Sequence, residues 1–301
     1  MNKWIKRALL GAIGLGVLGT AGLAGGAWLG DRKAARQVTV TVAPVAIPTD
    51  ASSLQRGRYL FATRGCTDCH GANGGGKAFI DDGGGMFVKA PNISPGPGNV
   101  VAAYRPEDWV RIIRHGIKPS GQPAFVMPSE DYSRLSDADL GALVAYVKQL
   151  PPVGGEGLVM RLPALVKTLY AAGVIQDAAE KIDHALPPAA PVVEDGSARH
   201  GAYVANMCIG CHGARLSGGK IPGGPPDWPA ASNLTPGEGS AMAHYADAQQ
   251  FVAMLRTGKR PDGSAVSRVM PFESLREMND GDALALYTHL KALAPVPVGQ
   301  R

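Results

Sequence analysis

Cys66-Thr-Asp-Cys69-His70 recurs 142 residues later as Cys208-Ile-Gly-Cys211-His212, and the surrounding sequence repeats with it. Ala90-Pro-Asn92-Ile-Ser-Pro95 returns as Ala231-Ser-Asn233-Leu-Thr-Pro236 at an offset of 141. The segment from Trp109 to Gly116 returns between Phe251 and Gly258 at 142, carrying Arg114 onto Arg256, and Val126-Met127-Pro128 returns as Val269-Met270-Pro271 at 143. Ser136-Asp-Ala-Asp139 through Val153 matches Asn279-Asp-Gly-Asp282 through Val296, also at 143. Blocks in one order, at offsets drifting by two residues, mark an internal duplication. Two homologous domains are expected, at 51–153 and 195–301, with a linker at 154–194 between them.

Each repeat reads as helices separated by long Gly/Pro loops, giving an all-α fold. Ser136 and Asn279 are N-cap residues with an acid three positions on, a capping-box-like start. Leu140, Leu143, Val144 and Val147 then form one apolar face, and Pro151-Pro152 stops the first copy. The helix around Trp109 starts at Pro106-Glu107-Asp108, with proline and acids in its first turn. No stretch of either repeat alternates at period two, so strands are not expected. In the linker, Leu162, Leu165, Val166 and Leu169 recur at helical spacing after Pro163, with Gly173 as the cap. A second short helix is expected over 175–184. Its apolar faces predict a linker packed on the chain's own core rather than a docking surface.

Charge excludes one class of partner. The net +5 lies within residues 1–36, which hold six basic side chains against Asp31, while 37–301 has 24 basic and 24 acidic residues. A neutral body gives no footprint for a phosphate backbone, so nucleic acid is not an expected partner. Gly and Pro total 64 of 301 residues, below the share that marks low-complexity disorder.

From Ala8 to Gly30 there is no charged residue. At about 1.5 Å per residue this stretch is long enough to cross a bilayer core of about 30 Å. Residues 1–36 therefore read as an N-terminal membrane anchor or as a cleaved export signal. Length favours the anchor; a high glycine content and the small residues Ala24–Ala27 favour cleavage. Gly22 and Gly26 form a GxxxG pair, read first as glycine tolerated in a lone membrane helix. Either way the body is expected on the periplasmic side. Residues 37–50 read as an extended Pro-containing tether.

The C-x-x-C-H motif is the signature of covalent c-type haem attachment. Two thiols one helical turn apart add to the two vinyl groups of one porphyrin, and the adjoining histidine ligates the iron. A Cys₄ zinc site would require two CxxC pairs to meet in one small module, and it leaves the histidine unexplained twice. A thioredoxin-like dithiol needs a βαβ context. Two haem c groups per chain are therefore expected, on Cys66, Cys69, Cys208 and Cys211, with His70 and His212 as iron ligands. Met127 and Met270 stand at equivalent places and are the expected second axial ligands, since thioether sulfur is a soft donor that raises the reduction potential. Met86, Met160, Met207, Met242, Met254 and Met278 lack duplicated counterparts and read as core filling. His115 and His244 read as surface or loop residues.

Each repeat resembles a class I cytochrome c domain, with its CxxCH helix, Gly-rich loop, Met-Pro and C-terminal helix. The Asn92 and Asn233 segments, with Trp109/Phe251, Arg114/Arg256 and Gly116/Gly258, are similar to the cytochrome c subunits of membrane-bound alcohol, gluconate and related dehydrogenases. In that family three haem domains and a C-terminal anchor are common; here there are two domains and an N-terminal hydrophobic segment. The resemblance implies two tandem cytochrome c domains that pass single electrons from a dehydrogenase or quinol-linked donor to a downstream cytochrome or terminal oxidase. It also makes Asn92 and Asn233 candidates for shaping the haem-edge loop, against a simple turn. Two rival readings are a dihaem peroxidase and a cytochrome subunit of a terminal oxidase. A peroxidase needs an iron site open to substrate, and two equivalent Met-Pro segments argue against it. Gly74–Gly76 and Gly83–Gly85 are not phosphate loops, having no following Lys-Ser/Thr. Arg56, Arg58 and Arg64 read as a solvated helix face ahead of a docking patch for an acidic partner. With no hydride-accepting cofactor motif or convincing base, the chain is expected to carry electrons rather than to catalyse.

Overall fold

A computed structural model describes residues 2–301, so Met1 of the expected N-terminal segment lies outside the described residues. Helix α1 (Lys3–Ala34) is capped by Asn2, whose side chain accepts from Trp4 N, and is long and apolar enough to cross a membrane. Leu10, Leu15 and Leu18 are about 70% exposed, and a Cβ on Gly11, Gly14, Gly16 or Gly19 would meet nothing within 4 Å. Residues 37–50, read as a tether, run without helix or strand. They are not free, however: Val45 is buried in the first hydrophobic core, and Val42 and Ile47 pack on it.

The first core lies between α2 (Ala51–Thr63), α4 (Pro106–His115) and α6 (Asp137–Val147). It joins Leu60, Phe61, Trp109, Val110, Leu140, Leu143 and Val144. Ser136 caps α6 by accepting from Asp139 N. Helices α2 and α6 approach until a Cβ on Gly57 would lie 2.0 Å from the carbonyl oxygen of Ala142. The second core repeats this plan between α8 (Ala198–Ala205), α10 (Ala248–Thr257) and α12 (Asp280–Ala292). There a Cβ on Gly201 would lie 1.9 Å from Ala285 O. Each helix pair crosses over one glycine, because any side chain at that point would hold the backbones apart.

Three expectations need correction. Strands are present: β1 (Ala78–Asp81), β2 (Phe87–Lys89) and β3 (Val159–Arg161) form an antiparallel sheet in that order. With three or four residues each they are too short for alternation to register, and the β1–β2 turn is the glycine run 83–85. In the linker, α7 (Ala164–Ala171) forms where expected, but 175–184 contains only a single 3₁₀ turn at Ala179–Lys181. Of the GxxxG pair expected to be merely tolerated in a lone helix, Gly22 does face open space, but Gly26 packs on Thr168, and Gly30 on Lys167.

Candidate functional site

Each CxxCH segment forms about one turn of helix directly after the first helix of its half. In the first, Arg64 ends α2 and Gly65, at φ 76°, turns the chain into α3 (Cys66–His70). In the second, a 3₁₀ turn at Asn206–Cys208 leads into α9 (Ile209–His212). Cys66 and Met127 both border the first hydrophobic core; Cys208 and Met270 both border the second. The two CxxC pairs thus pack on different cores, which is not the arrangement of a four-thiolate zinc knuckle. All four cysteines are free thiols, and burial pushes Cys66 and Cys208 up to about 12.

The histidines are held alike. His70 Nδ1 donates to Pro91 O at 3.0 Å, and His212 Nδ1 donates to Ser232 O at 2.8 Å. A carbonyl only accepts, so Nδ1 carries the proton in both rings and Nε2 keeps its lone pair. This is how proteins orient and polarise a metal-ligating imidazole. Burial lowers both histidines below their ordinary value, favouring the neutral, ligating form.

The loop behind each motif repeats the same anchoring hydrogen bonds. Gly76 N donates to His70 O at 2.8 Å and Gly218 N donates to His212 O at 2.9 Å. These glycines have φ 78° and 72°, and a Cβ on either would come within 2.3 Å of the carbonyl of Ala90 or Ala231. Asn92 does more than make a turn. Its Oδ1 accepts from Ser94 N and Oγ at 2.9 and 2.7 Å, while Nδ2 donates to Val153 O at 2.8 Å. Asn233 repeats this with Thr235 N and Oγ1 at 2.9 and 2.8 Å, and with Val296 O at 2.9 Å. Both asparagines are buried and tie the carbonyl-bearing segment to the chain that follows the last helix. Arg114 and Arg256 likewise reach Asp137 and Asp280, each at 2.9 Å, at the start of that helix.

Residues passed over in the sequence link the halves. Tyr59 donates to Asp282 Oδ2 at 2.7 Å and accepts from Asn279 N at 3.2 Å. Tyr203 donates to Asp139 Oδ2 at 2.7 Å and accepts from Ser136 N at 3.1 Å. Asp139 also takes two hydrogen bonds from Arg56 at 2.8 Å, and Asp282 takes one from His200 Nε2 at 2.8 Å. Burial alone would raise both carboxyls, but Arg56 holds Asp139 low, and Arg64, Tyr59 and His200 hold Asp282 low. The acids of the expected capping boxes therefore serve this interface. Arg56 and Arg64 belong to it too, Arg64 being buried, so of the three arginines only Arg58 is exposed as a solvated face would be. The signal was present as Gly57-Arg-Tyr59 and Gly201-Ala-Tyr203, a further repeated block at an offset of 144.

The same interface reaches both motifs. Asp68, inside the first, accepts from Ser274 Oγ at 2.9 Å, and Gly210 N, inside the second, donates to Asp131 Oδ1 at 2.7 Å. Ser274 and Asp131 lie in the short helices α11 (Phe272–Leu275) and α5 (Ser129–Tyr132) that follow Met270-Pro and Met127-Pro. Each motif is thus braced by the segment that follows the other half's methionine. His115 is another correction: it is buried, with Nδ1 3.1 Å from His184 Nδ1 in the linker. His244 is exposed, as expected. Of the unduplicated methionines, Met242, Met254 and Met278 are fully buried in the second core, whereas Met86, Met160 and Met207 are half-buried.

The paired thiols, the Nδ1-anchored histidines and a methionine on the same core fit the donor set that c-type haem requires. Comparison with known proteins agrees. Residues 52–147 match the family model described as "Cytochrome C oxidase, cbb3-type, subunit III". The chain is 27% identical over 275 residues to the fructose dehydrogenase cytochrome subunit of Gluconobacter japonicus, covering 82% of this chain and 54% of that one. It is 26% identical over 281 residues to the cytochrome c subunit of alcohol dehydrogenase (quinone) of Gluconobacter oxydans (strain 621H), covering 83% and 57%. It is 26% identical over 280 residues to the gluconate 2-dehydrogenase cytochrome c subunit of Pantoea cypripedii, covering 82% and 61%. The chain therefore spans little more than half the length of these curated relatives. Residues 52–147 are a domain of the cytochrome c family, which carries covalently bound haem c.

Proposed function

We propose that this chain is a dihaem c-type cytochrome that accepts single electrons from a dehydrogenase and passes them toward the respiratory chain. Two tandem cytochrome c domains, 51–153 and 195–301, would each hold one haem. The observation that carries the reading is the duplicated scaffold: His70 and Asn92 in one half, His212 and Asn233 in the other, make the same hydrogen bonds at matching distances.

Cys66 and Cys69 would hold one porphyrin through thioethers, and Cys208 and Cys211 the other. His70 and His212 would ligate iron through Nε2, and Met127 and Met270 would supply each group's second donor. Such a group supplies reversible one-electron chemistry at iron. The rest is the work of the chain. Pro91 O and Ser232 O fix the imidazole planes, and Asn92 and Asn233 hold those carbonyls in place by bridging to Val153 and Val296. The apolar cores would keep water from the group, and with a histidine and a methionine both donating, each site would carry electrons without binding a substrate. The braces Asp68–Ser274 and Gly210–Asp131 keep both attachment segments on the shared interface, a placement suited to transfer between them.

The reading includes a retained N-terminal anchor with the body on the periplasmic side. Contacts at the base of α1 support retention: Lys33 Nζ donates to Tyr170 O at 2.8 Å, Arg36 pairs with the buried Asp177, and Gly30 is buried against Lys167. The relatives' names make a sugar, sugar-acid or alcohol dehydrogenase the proposed donor class, and a downstream cytochrome or terminal oxidase is the proposed acceptor. The test is spectroscopic. The oxidised protein should become reduced when such a dehydrogenase and its substrate are added together, and should stay oxidised with substrate alone. Peroxide turnover by the isolated protein would contradict the carrier role.

A further inference from the structure

Helix α7 touches the rest of the molecule on two sides only. Lys167 and Thr168 pack on α1, where a Cβ on Gly26 would meet Thr168 at 2.5 Å and one on Gly30 would meet Lys167 O at 2.3 Å. Tyr170 is buried toward the body, edge-on to Phe125 with ring centroids 5.0 Å apart, and hydrogen-bonded to Asp177. At 100° per residue Leu165 lies about 140° around the helix from Tyr170. It is 59% exposed, and Ala172 at the helix end, on the same side, is exposed as well. An apolar face thus points away from the body, alongside the anchor helix.

Its height is set by α1. Thr168 meets Gly26, four residues before the charge-free stretch ends at Gly30, which is about 6 Å along the helix axis. That is the depth at which interfacial helices lie, about 5–10 Å into the boundary between headgroups and acyl chains. The groups around the contact suit that level. Trp28 is exposed with the Arg32 guanidinium 5.0 Å from its ring centroid, and Lys167 pairs with Asp31 at 2.9 Å.

We propose that α7 is a membrane-surface helix. With α1 spanning the bilayer, Leu165 and Ala172 enter the lipid interface and Arg32 meets phosphate headgroups, so the cytochrome body is fixed in orientation instead of swinging on its anchor. This rests on the anchor reading of α1. The occupant is lipid because the exposed face continues the apolar surface of the anchor on the side away from the body.

The test uses the full-length, haem-loaded protein in vesicles of phosphatidylcholine and phosphatidylglycerol. Nitroxide labels are placed singly through Leu165→Cys, Ala172→Cys, Leu15→Cys and Leu284→Cys, and each is read by its collision rates with oxygen and with a water-soluble nickel chelate. All four side chains are exposed, so the substitutions remove no core packing. Labels at Leu165 and Ala172 should report a depth of about 5–10 Å, with Leu15 deeper and Leu284 in water. Adding Leu165→Glu should shift the Ala172 label toward water. Leu165 as water-accessible as Leu284, with Leu15 still deep, would overturn the proposal and leave the anchor standing. Leu15 in water would overturn the anchor reading and the proposal with it. Leu165 shielded from both reagents would mean a protein covers the face, and would also overturn it.

Discussion

The Tyr203 hydroxyl of the second half donates to the Asp139 carboxylate of the first at 2.7 Å, and Tyr59 and Asp282 make the mirror contact at the same distance. Each carboxylate is also bonded within its own half, Asp139 to Arg56 and Asp282 to His200. The interface is therefore two interlocked polar units, related as the two halves of the sequence are.

Removing one hydroxyl from either unit should be costly. Tyr59→Phe or Tyr203→Phe leaves a buried carboxylate with one donor fewer and a backbone N–H without its acceptor. A loss of about 1–3 kcal/mol in each is expected in denaturant unfolding. An unchanged midpoint in both variants would show that the reciprocal contact does not hold the halves together.

Gly57→Ala and Gly201→Ala should each destabilise their own half, because the added methyl would lie 2.0 and 1.9 Å from a carbonyl oxygen of the facing helix. Overpacking of this kind costs about 1–3 kcal/mol and sometimes more. Thermal unfolding of both variants checks it, and wild-type stability would contradict the close helix crossing.

Much of this was legible in the chain. The CxxCH motifs, the Met-Pro pairs and the N-caps Ser136 and Asn279 are local patterns, so one sequence suffices to find them. Partners far along the chain were not legible. Nothing near Tyr59 points to Asp282, and only the repeated Gly-x-Tyr block hinted that either tyrosine had a shared role. The strands escaped because three or four residues cannot show a period, and His115 because its partner lies in the unduplicated linker.

Acid should weaken the contact that His115 makes with His184. Burial, the neighbouring His184 and the charges of Arg114 and Arg111 lower His115 to about 4. The unfolded chain then binds a proton more readily than the folded one between about pH 6.5 and pH 4. Stability from this site is complete above that window and declines as pH falls through it, by up to about 3 kcal/mol. His115→Gln should flatten the pH dependence of unfolding between pH 4 and 6.5, and an unchanged slope would contradict the assignment.

Met127→Ala and Met270→Ala should each remove half of the sulfur-to-iron charge-transfer absorption of the oxidised protein and open one haem to carbon monoxide. Met86→Ala and Met242→Ala should do neither. Loss of the band in Met86→Ala instead would place the first methionine ligand outside the Met-Pro segment.

The central claim is one covalent haem at each CxxCH. Intact-mass measurement of protein matured in the periplasm, after acidic organic extraction of loose haem, tests it most directly. The account predicts the polypeptide mass plus two haem groups, falling to one doubly linked haem when Cys208 and Cys211 are both replaced by Ala. A single haem in the unaltered protein, or a zinc ion with no haem, would contradict it.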